Sequence, residues 1–307
     1  MTADWIAVDW GTSNLRAWGI DAAGEIAFSR SSDQGMGKLT PDAYPGVLKA
    51  LLADAIDIAA PIDVLICGMA GARQGWQEAP YLDAPADLSR LAAAGVSPEV
   101  PGSGLHATIL PGVCLRTTGS EDVMRGEETQ LLGLSTLGGG FDGLVVMPGT
   151  HSKWALLEGG RLTRFSTAMT GELFEVLATH SVLRHSLQGE RDGEENGAGF
   201  DAGLAQGLES PERLTATLFK VRASALLSGR SSSWCAGLLS GLLIGAEIGG
   251  QRDWLGGAEV PLVGSPKLCA LYARGFAALG AKSRLVDATD ATLSGLKAAR
   301  AQRGNRP

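Results

Sequence analysis

Short apolar runs that end in glycine set the rhythm of this chain. Trp5-Ile6-Ala7-Val8 reads as a buried strand, halted by Asp9-Trp10-Gly11-Thr12-Ser13-Asn14, and 15–20 resumes as a second strand. Ala22-Ala23-Gly24-Glu25 supplies a turn before a third at Ile26-Ala27-Phe28. Within 41–60, Leu48, Leu51, Leu52, Ala55 and Ile56 recur at the spacing of one helix face. Val64-Leu65-Ile66-Cys67 follows as a short strand, broken by Gly68-Met69-Ala70-Gly71. Strands alternating with helices predict an α/β fold. The Pro-, Ala- and Gly-rich stretch 83–111 reads as a connecting lobe with one short helix around Leu88, Leu91 and Ala92. Residues 122–134 read as a helix, and Gly138-Gly139-Gly140 then punctuates the chain.

The second half restates the theme. Leu144-Val145-Val146-Met147 is a strand ended by Pro148-Gly149, 153–157 and 162–166 are strands around Gly159-Gly160, and a helix runs from Gly171 into His180. Residues 188–203 read as a polar surface loop, with helices at 211–227 and 234–248. Val260-Pro261-Leu262-Val263 is a strand, Gly264-Ser265 a turn, and Pro266 opens a helix. A last strand at 283–286 and helix at 291–300 complete the chain. The expected division is a first domain over 1–138 and a second over 139–307, with the last helix packing back on the first domain.

With 307 residues, 45% of them hydrophobic and 19% charged, the chain can bury a sizeable core, and disorder is excluded. A net charge of −7 without any long run of like charges argues against nucleic acid or an anionic membrane as partner. The first ten residues carry no basic segment, and no apolar stretch reads as long enough to span a bilayer, so the expected location is cytoplasmic. Four singly placed cysteines, Cys67, Cys114, Cys235 and Cys269, point to reduced, buried thiols. Sequence leaves a homo-oligomer open.

Chemistry concentrates in two matching segments. Val8-Asp9-Trp10-Gly11-Thr12-Ser13-Asn14 and Met147-Pro148-Gly149-Thr150-His151-Ser152-Lys153 each end an apolar strand in glycine-threonine, then small polar residues and a basic residue before a second strand. Such a hairpin tip presents backbone N–H groups and hydroxyls together, which suits the oxygens of a phosphate chain. One copy alone is an ordinary turn; two in matching contexts point to a triphosphate gripped across an interdomain cleft. Asp9, at the end of its strand, would hold a hydrated magnesium ion.

With Asp9 and Gly11-Thr12-Ser13, the strings 148–154 (Pro-Gly-Thr-His-Ser-Lys-Trp) and 169–174 (Met-Thr-Gly-Glu-Leu-Phe) resemble the 2-dehydro-3-deoxygalactonokinases of the sugar kinase, Hsp70 and actin superfamily. The segments 67–76, 122–130 and Gly264-Ser265-Pro266 extend the resemblance to about residues 5–298. It implies two ribonuclease-H-like, actin-like ATPase domains closing on ATP and a sugar acid, with phosphoryl transfer to the C6 hydroxyl of 2-dehydro-3-deoxy-D-galactonate. It also implies that Gly264, Ser265 and the helix near 238–246 flank the adenine. Related carbohydrate kinases carry Gly-Asp-Gln where this chain has Gly126-Glu127-Glu128.

Transfer to a sugar hydroxyl needs a carboxylate to accept the proton and positive charge on the phosphates. Glu127 matches the spacing of the base in related kinases, with Glu128 and Asp122 in reserve. Arg73-Gln74-Gly75-Trp76 follows a glycine-broken strand end: arginine suits a carboxylate and tryptophan a sugar face, while a structural ion pair beside a core tryptophan is the plainer alternative. Arg125 and Thr170 compete for the carboxylate. His180 and His185 lack metal-ligand spacing, and no P-loop or nucleophile-elbow motif occurs. The same two turns would also serve an ATPase or a sugar-binding regulator of this superfamily, and 2-dehydro-3-deoxygluconate is the alternative acceptor.

Overall fold

The computed structural model describes residues 2–137 and 140–304. The chain divides into two compact units: 1–142 with 156–165 and 288–307, and 143–155 with 166–287. The boundary expected at 138/139 falls on residues outside those described.

In the first unit β1 (Trp5–Trp10), β2 (Leu15–Ile20) and β3 (Ile26–Ser32) form an antiparallel meander. After α1 (Tyr44–Leu52) come β4 (Ile62–Gly68), β5 (Tyr81–Asp83), β6 (Ala86–Asp87), β7 (Leu105–Ile109), β8 (Gly112–Leu115), β9 (Asp122–Met124) and α2 (Glu127–Thr136). The main sheet has the order β3-β2-β1-β4-β7, with β4 parallel to β1 and β7 parallel to β4. Strands β5, β8 and β9 make a small separate sheet. One face of the main sheet, with Ile6, Val8, Trp10, Leu15 and Ala17, shares a core with Tyr44, Leu48 and Leu52 of α1.

The second unit contains β10 (Gly143–Met147), β11 (Ser152–Glu158), β12 (Arg161–Ala168), α3 (Thr170–His180), α4 (Asn196–Glu209), α5 (Leu214–Ser228), α6 (Ser232–Gly250), β13 (Val260–Gly264), α7 (Pro266–Ala278) and β14 (Ser283–Asp287). Its strand order is β14-β13-β10-β11-β12, with β13 parallel to β10 and to β14. Numbered in chain order among these five strands of each sheet, both read 3-2-1-4-5, the ribonuclease-H-like order expected of a duplicated α/β chain. The outer half of the β11–β12 hairpin, 156–165, belongs to the first unit, where Arg161 and Leu162 pair with β6.

The last helix, α8 (Ala288–Gly304), is part of the first unit and lies backbone to backbone on α2: a methyl added to Gly133 would stand 1.9 Å from the Ala291 carbonyl oxygen, and one on Gly295 equally close to that of Thr129. Helices α4 and α6 meet the same way through Gly199, Gly203 and Gly207 against Gly237, Gly241 and Gly245. This explains why 196–203 folds as helix where a surface loop was expected. Glycine lowers intrinsic helix propensity by about 1 kcal/mol, and the close approach it allows restores the helix through packing.

Four further expectations change. The helix expected within 41–60 stops at Leu52, and 53–60 turns ahead of Pro61, with the Asp57 carboxylate accepting the Ala59 N–H at 3.0 Å. The helix expected from 122 begins at Glu127: Asp122–Met124 pairs with β8, and Gly126 turns the chain at φ +106°. The connecting lobe contains β7, the strand that ends the main sheet beside β4 and whose flanking glycines and prolines mask it. By length and composition α6 is apolar enough to cross a membrane, contrary to the sequence reading; 78% of its apolar window is buried and it serves as a core helix.

Candidate active site

In the first unit, three chain segments converge at the carboxyl ends of β1 and β4. Asp9 pairs in register with Cys67 and Trp10 with Gly68. Gly68 has φ +90°, and a methyl there would stand 2.7 Å from the Trp10 carbonyl oxygen and 3.4 Å from Asp9 Oδ1. Gly126 in turn brings its α-carbon close enough that a methyl on it would lie 3.3 Å from the Gly68 Cα. These close approaches, open only to glycine at positive φ, set the Asp9 strand end beside the turn that carries Glu127 and Glu128.

Asp9 Oδ2 accepts from Arg16 Nη2 at 2.7 Å, and Arg16 also donates to Thr289 on α8. The Gly11–Asn14 turn that follows is closed by the Gly11 N–H on the Asn14 carbonyl at 2.8 Å. It is braced by Met36 N–H on the Gly11 carbonyl and Gly37 N–H on that of Thr12. Gly35 lies so close beneath that a methyl would meet the Thr12 oxygen at 2.4 Å. Thr12, Ser13 and Asn14 are exposed.

The two glutamates differ. Glu127 is half-buried in the first turn of α2, its Oε2 accepting the Arg125 N–H at 3.1 Å. Glu128 is buried, accepting from the Gly126 N–H at 2.7 Å and the Thr129 hydroxyl at 3.0 Å. Burial, with the Glu127 charge beside it, pushes the Glu128 carboxyl from 4.5 up to about 7. Cys67 lies in the same interior, its thiol pushed well up by burial and by the charges of Asp9 and Glu128. A raised carboxyl pKa means that the folded protein binds the extra proton between pH 4.5 and 7. Its contribution to stability is therefore intact below the unfolded value and lost as pH rises through the folded one. Glu128→Gln, whose amide can hold both hydrogen bonds, is expected to flatten the fall in stability between pH 5 and 7. Above pH 7 it should gain up to about 3 kcal/mol, as denaturant titration at pH 5 and 8 would measure. A wild-type slope in Glu128→Gln would contradict this assignment.

Asp122 is not on α2 but at the start of β9, its Oδ1 accepting the Val123 N–H at 2.7 Å. The 69–79 loop ends at Ala79, whose N–H returns to the Gly71 carbonyl. On it Arg73 has an 82% exposed side chain, loosely paired with Glu78 at 3.9 Å, and Gln74 is exposed too. Trp76 stacks on Tyr44 with ring centroids 6.0 Å apart and meets Trp10 edge-on, so part of the ring belongs to the core and part reaches the surface. Arg125 is buried: its Nη2 donates to the Ala79 carbonyl at 2.8 Å and its guanidinium lies 4.3 Å from the centre of the Tyr81 ring. Nε and Nη1 are buried and have no hydrogen-bond partner among the described residues. Arg125 braces the loop that carries Arg73.

In the second unit, β10 ends at Met147 and the Pro148–His151 turn leads into β11. Gly171, in the first turn of α3, presses on this turn, since a methyl there would lie 2.5 Å from the Gly149 carbonyl oxygen. The Glu172 N–H donates to the Thr150 carbonyl, and the Glu172 carboxylate hydrogen-bonds His151 on the surface. Gly149, Thr150, Thr170 and Gly171 line one part of a cavity of about 870 Å³, whose remaining walls include Asn196, Ala236, Ser240, Leu243 and Ile244, together with Lys267, Leu268, Leu271 and Tyr272 of α7. That volume is in the range of small-molecule and cofactor sites. Ser152 and Lys153 are buried behind the turn. Gly264 packs near the Pro148 carbonyl, and Ser265 caps α7, accepting the Leu268 N–H.

Sequence reasoning identified the two turns, and the resemblance implied a place beside the adenine for the helix near 238–246 and for Gly264-Ser265; missed were the α7 side chains that line the cavity, the role of Gly35, and the buried Glu247. Leu268 and Leu271, three apart, signal a buried helix face, not a ligand, so only the fold assigns them to a cavity.

A profile of the family described as 2-keto-3-deoxy-galactonokinase matches residues 9–299. A Rhizobium meliloti (strain 1021) protein named "probable 2-dehydro-3-deoxygalactonokinase" is 42% identical over 294 residues, covering 95% of each chain. The 2-dehydro-3-deoxygalactonokinase of Escherichia coli (strain K12) is 37% identical over 298 residues, covering 97% of each. A crystal structure of a Sinorhizobium meliloti protein given the same name as a candidate assignment matches with a TM-score of 0.90 at 40% identity, covering 98% of this chain and all of the other.

Proposed function

The chain belongs to the 2-keto-3-deoxy-galactonokinase family, and on that basis we propose that it transfers the γ-phosphoryl group of ATP to the C6 hydroxyl of 2-dehydro-3-deoxy-D-galactonate, in the cytoplasm and with magnesium. Membership makes it a kinase, a transferase of sugar-acid metabolism. The observation that carries the nucleotide reading is the cavity of the second unit, where a glycine-threonine turn and the start of α3 adjoin apolar side chains of α6 and α7. Backbone N–H groups and a helix N-terminus suit phosphate oxygens, and the apolar wall suits a purine.

Gly149 and Thr150, with Gly11, Thr12, Ser13 and Asn14, take the phosphate oxygens in this reading; His151, Ser152 and Lys153 shape the turn, and Gly264 and Ser265 place α7. Among the described residues no three His, Cys, Asp or Glu gather as a metal cage. Magnesium does not require one: it keeps most of its waters and takes one or two carboxylates with substrate phosphates. Asp9, 18% exposed and engaged by Arg16 through Oδ2, fits that role, and the ion would supply charge neutralisation on the phosphates. Glu127 accepts the C6 hydroxyl proton, since Glu128 is sealed in the core.

A sugar acid carries its carboxylate at the end remote from C6, so a cationic clamp there aligns the hydroxyl. Arg73 is the exposed arginine of the 69–79 loop, and Gln74 and Trp76 adjoin it. Losing a charge-assisted hydrogen bond costs roughly 1.5 to 3 kcal/mol, a factor of about ten to a hundred or more. In a coupled ATP assay, 2-dehydro-3-deoxy-D-galactonate is expected far ahead of glucose, galactose and glycerol, and Arg73→Ala is expected to narrow that gap by weakening the acid alone. A neutral hexose or polyol phosphorylated best would overturn the substrate class; equal use of the gluconate epimer would remove only the epimer.

A further inference from the structure

One buried acid of the second unit plays no part in the chemistry above. Glu247 lies in the otherwise apolar 241–250 segment of α6 and is buried. Its Oε1 accepts from Trp154 Nε1 on β11 at 2.8 Å; its Oε2 accepts from the Tyr272 hydroxyl on α7 at 2.5 Å and, in a short hydrogen bond, from the Thr170 hydroxyl at the first residue of α3. The Tyr272 hydroxyl also stands 2.7 Å from Ser152 Oγ. A carboxylate in such surroundings is costly unless paired or fully hydrogen-bonded, and here three donors converge on it.

Those donors come from the parts that shape the nucleotide cavity. Trp154 and Ser152 begin the strand that leaves the second glycine-threonine turn. Thr170 and Tyr272 line the cavity themselves. Gly171, the neighbour of Thr170, is pressed against the Gly149 carbonyl.

We propose that Glu247 is a positioning residue for the nucleotide's phosphate chain: it ties β11, the start of α3 and α7 to one point on α6, so that the Gly149-Thr150 turn is fixed before ATP arrives. The inference rests on the nucleotide reading above. It gives Thr170 a task different from the carboxylate contact expected from sequence, because the Thr170 hydroxyl acts through Glu247.

The test is calorimetric titration of the full chain with a non-hydrolysable ATP analogue and magnesium, beside steady-state kinetics for both substrates. Glu247→Gln keeps the shape: its oxygen can stay on the donor-only Trp154 indole while the Thr170 and Tyr272 hydroxyls turn to accept from the amide. Thr170→Val removes one donor from an isosteric side chain and carries the test where Glu247→Gln lowers stability. Thr170→Val, which deletes one of the three bonds, is expected to weaken the analogue about tenfold. Glu247→Gln, which exchanges charge-assisted bonds for weaker neutral ones, is expected to weaken it by a smaller factor of about three to ten. Both should raise KM for ATP and leave KM for the sugar acid within about twofold, with Thr170→Ser close to wild type. Wild-type affinity for the analogue in both variants overturns the proposal, as does a rise confined to the sugar-acid KM. Failure of the wild-type protein to bind the analogue overturns the nucleotide reading with it.

Discussion

Gly149→Val is expected to fold like the wild-type protein and to lose turnover. Among the described residues, and apart from its chain neighbours, the one atom within 4 Å of where a methyl on Gly149 would stand is the His151 carbonyl oxygen at 3.9 Å, and the backbone there is not left-handed. Packing therefore does not require glycine at this position, in contrast to Gly171, where a methyl would collide with the Gly149 carbonyl. Since Gly149 lines the cavity, a valine would occupy the space where phosphate oxygens approach the backbone. Asp9→Ala is expected to lose turnover for a different reason, removal of the magnesium carboxylate. Arg16 keeps its hydrogen bond to Thr289 in that variant, which favours an intact first unit. Unchanged circular dichroism with near-normal activity in both variants would remove the two-turn account.

Glu127→Gln is expected to lower kcat by roughly 10²-fold or more with ATP binding little changed. The amide oxygen can go on accepting the Arg125 N–H that Glu127 Oε2 holds at 3.1 Å, so the local geometry persists while proton acceptance is lost. Asp122, on β9 and separated from α2 by the Gly126 turn, is the control. An active Glu127→Gln protein with a dead Asp122→Asn protein would transfer the role to Asp122.

What could be read in the sequence was local. Apolar runs such as 5–8 and 144–147 that stop at glycine-threonine define both their strands and their turns within a few residues, so β1, β2, β10 and β11 and their tips were visible, as was their repetition. The helix at 196–209 was not: its glycines look like a loop until α6 supplies the matching glycines some 40 residues on. β7 was hidden for a related reason, since only pairing with β4 reveals that 105–109 is a strand of the main sheet. Glu247 did leave a trace, one acid in the apolar string Gly-Leu-Leu-Ile-Gly-Ala-Glu-Ile-Gly-Gly. A buried acid must find donors, but Trp154 lies 93 positions away and Thr170 77, a distance that only the fold closes. Sequence put Glu127 ahead of its neighbour Glu128 by spacing alone, and burial separates them physically: one half-exposed at a helix start, the other sealed with its carboxyl raised to about 7.

The most direct test of the account is the identity of the product. With ATP, magnesium and 2-dehydro-3-deoxy-D-galactonate, proton-coupled phosphorus NMR should show a phosphomonoester split by the two C6 protons, formed one for one with ADP. ADP released with inorganic phosphate at a rate indifferent to the sugar acid, or a phosphoryl group found on any position other than C6, would contradict it.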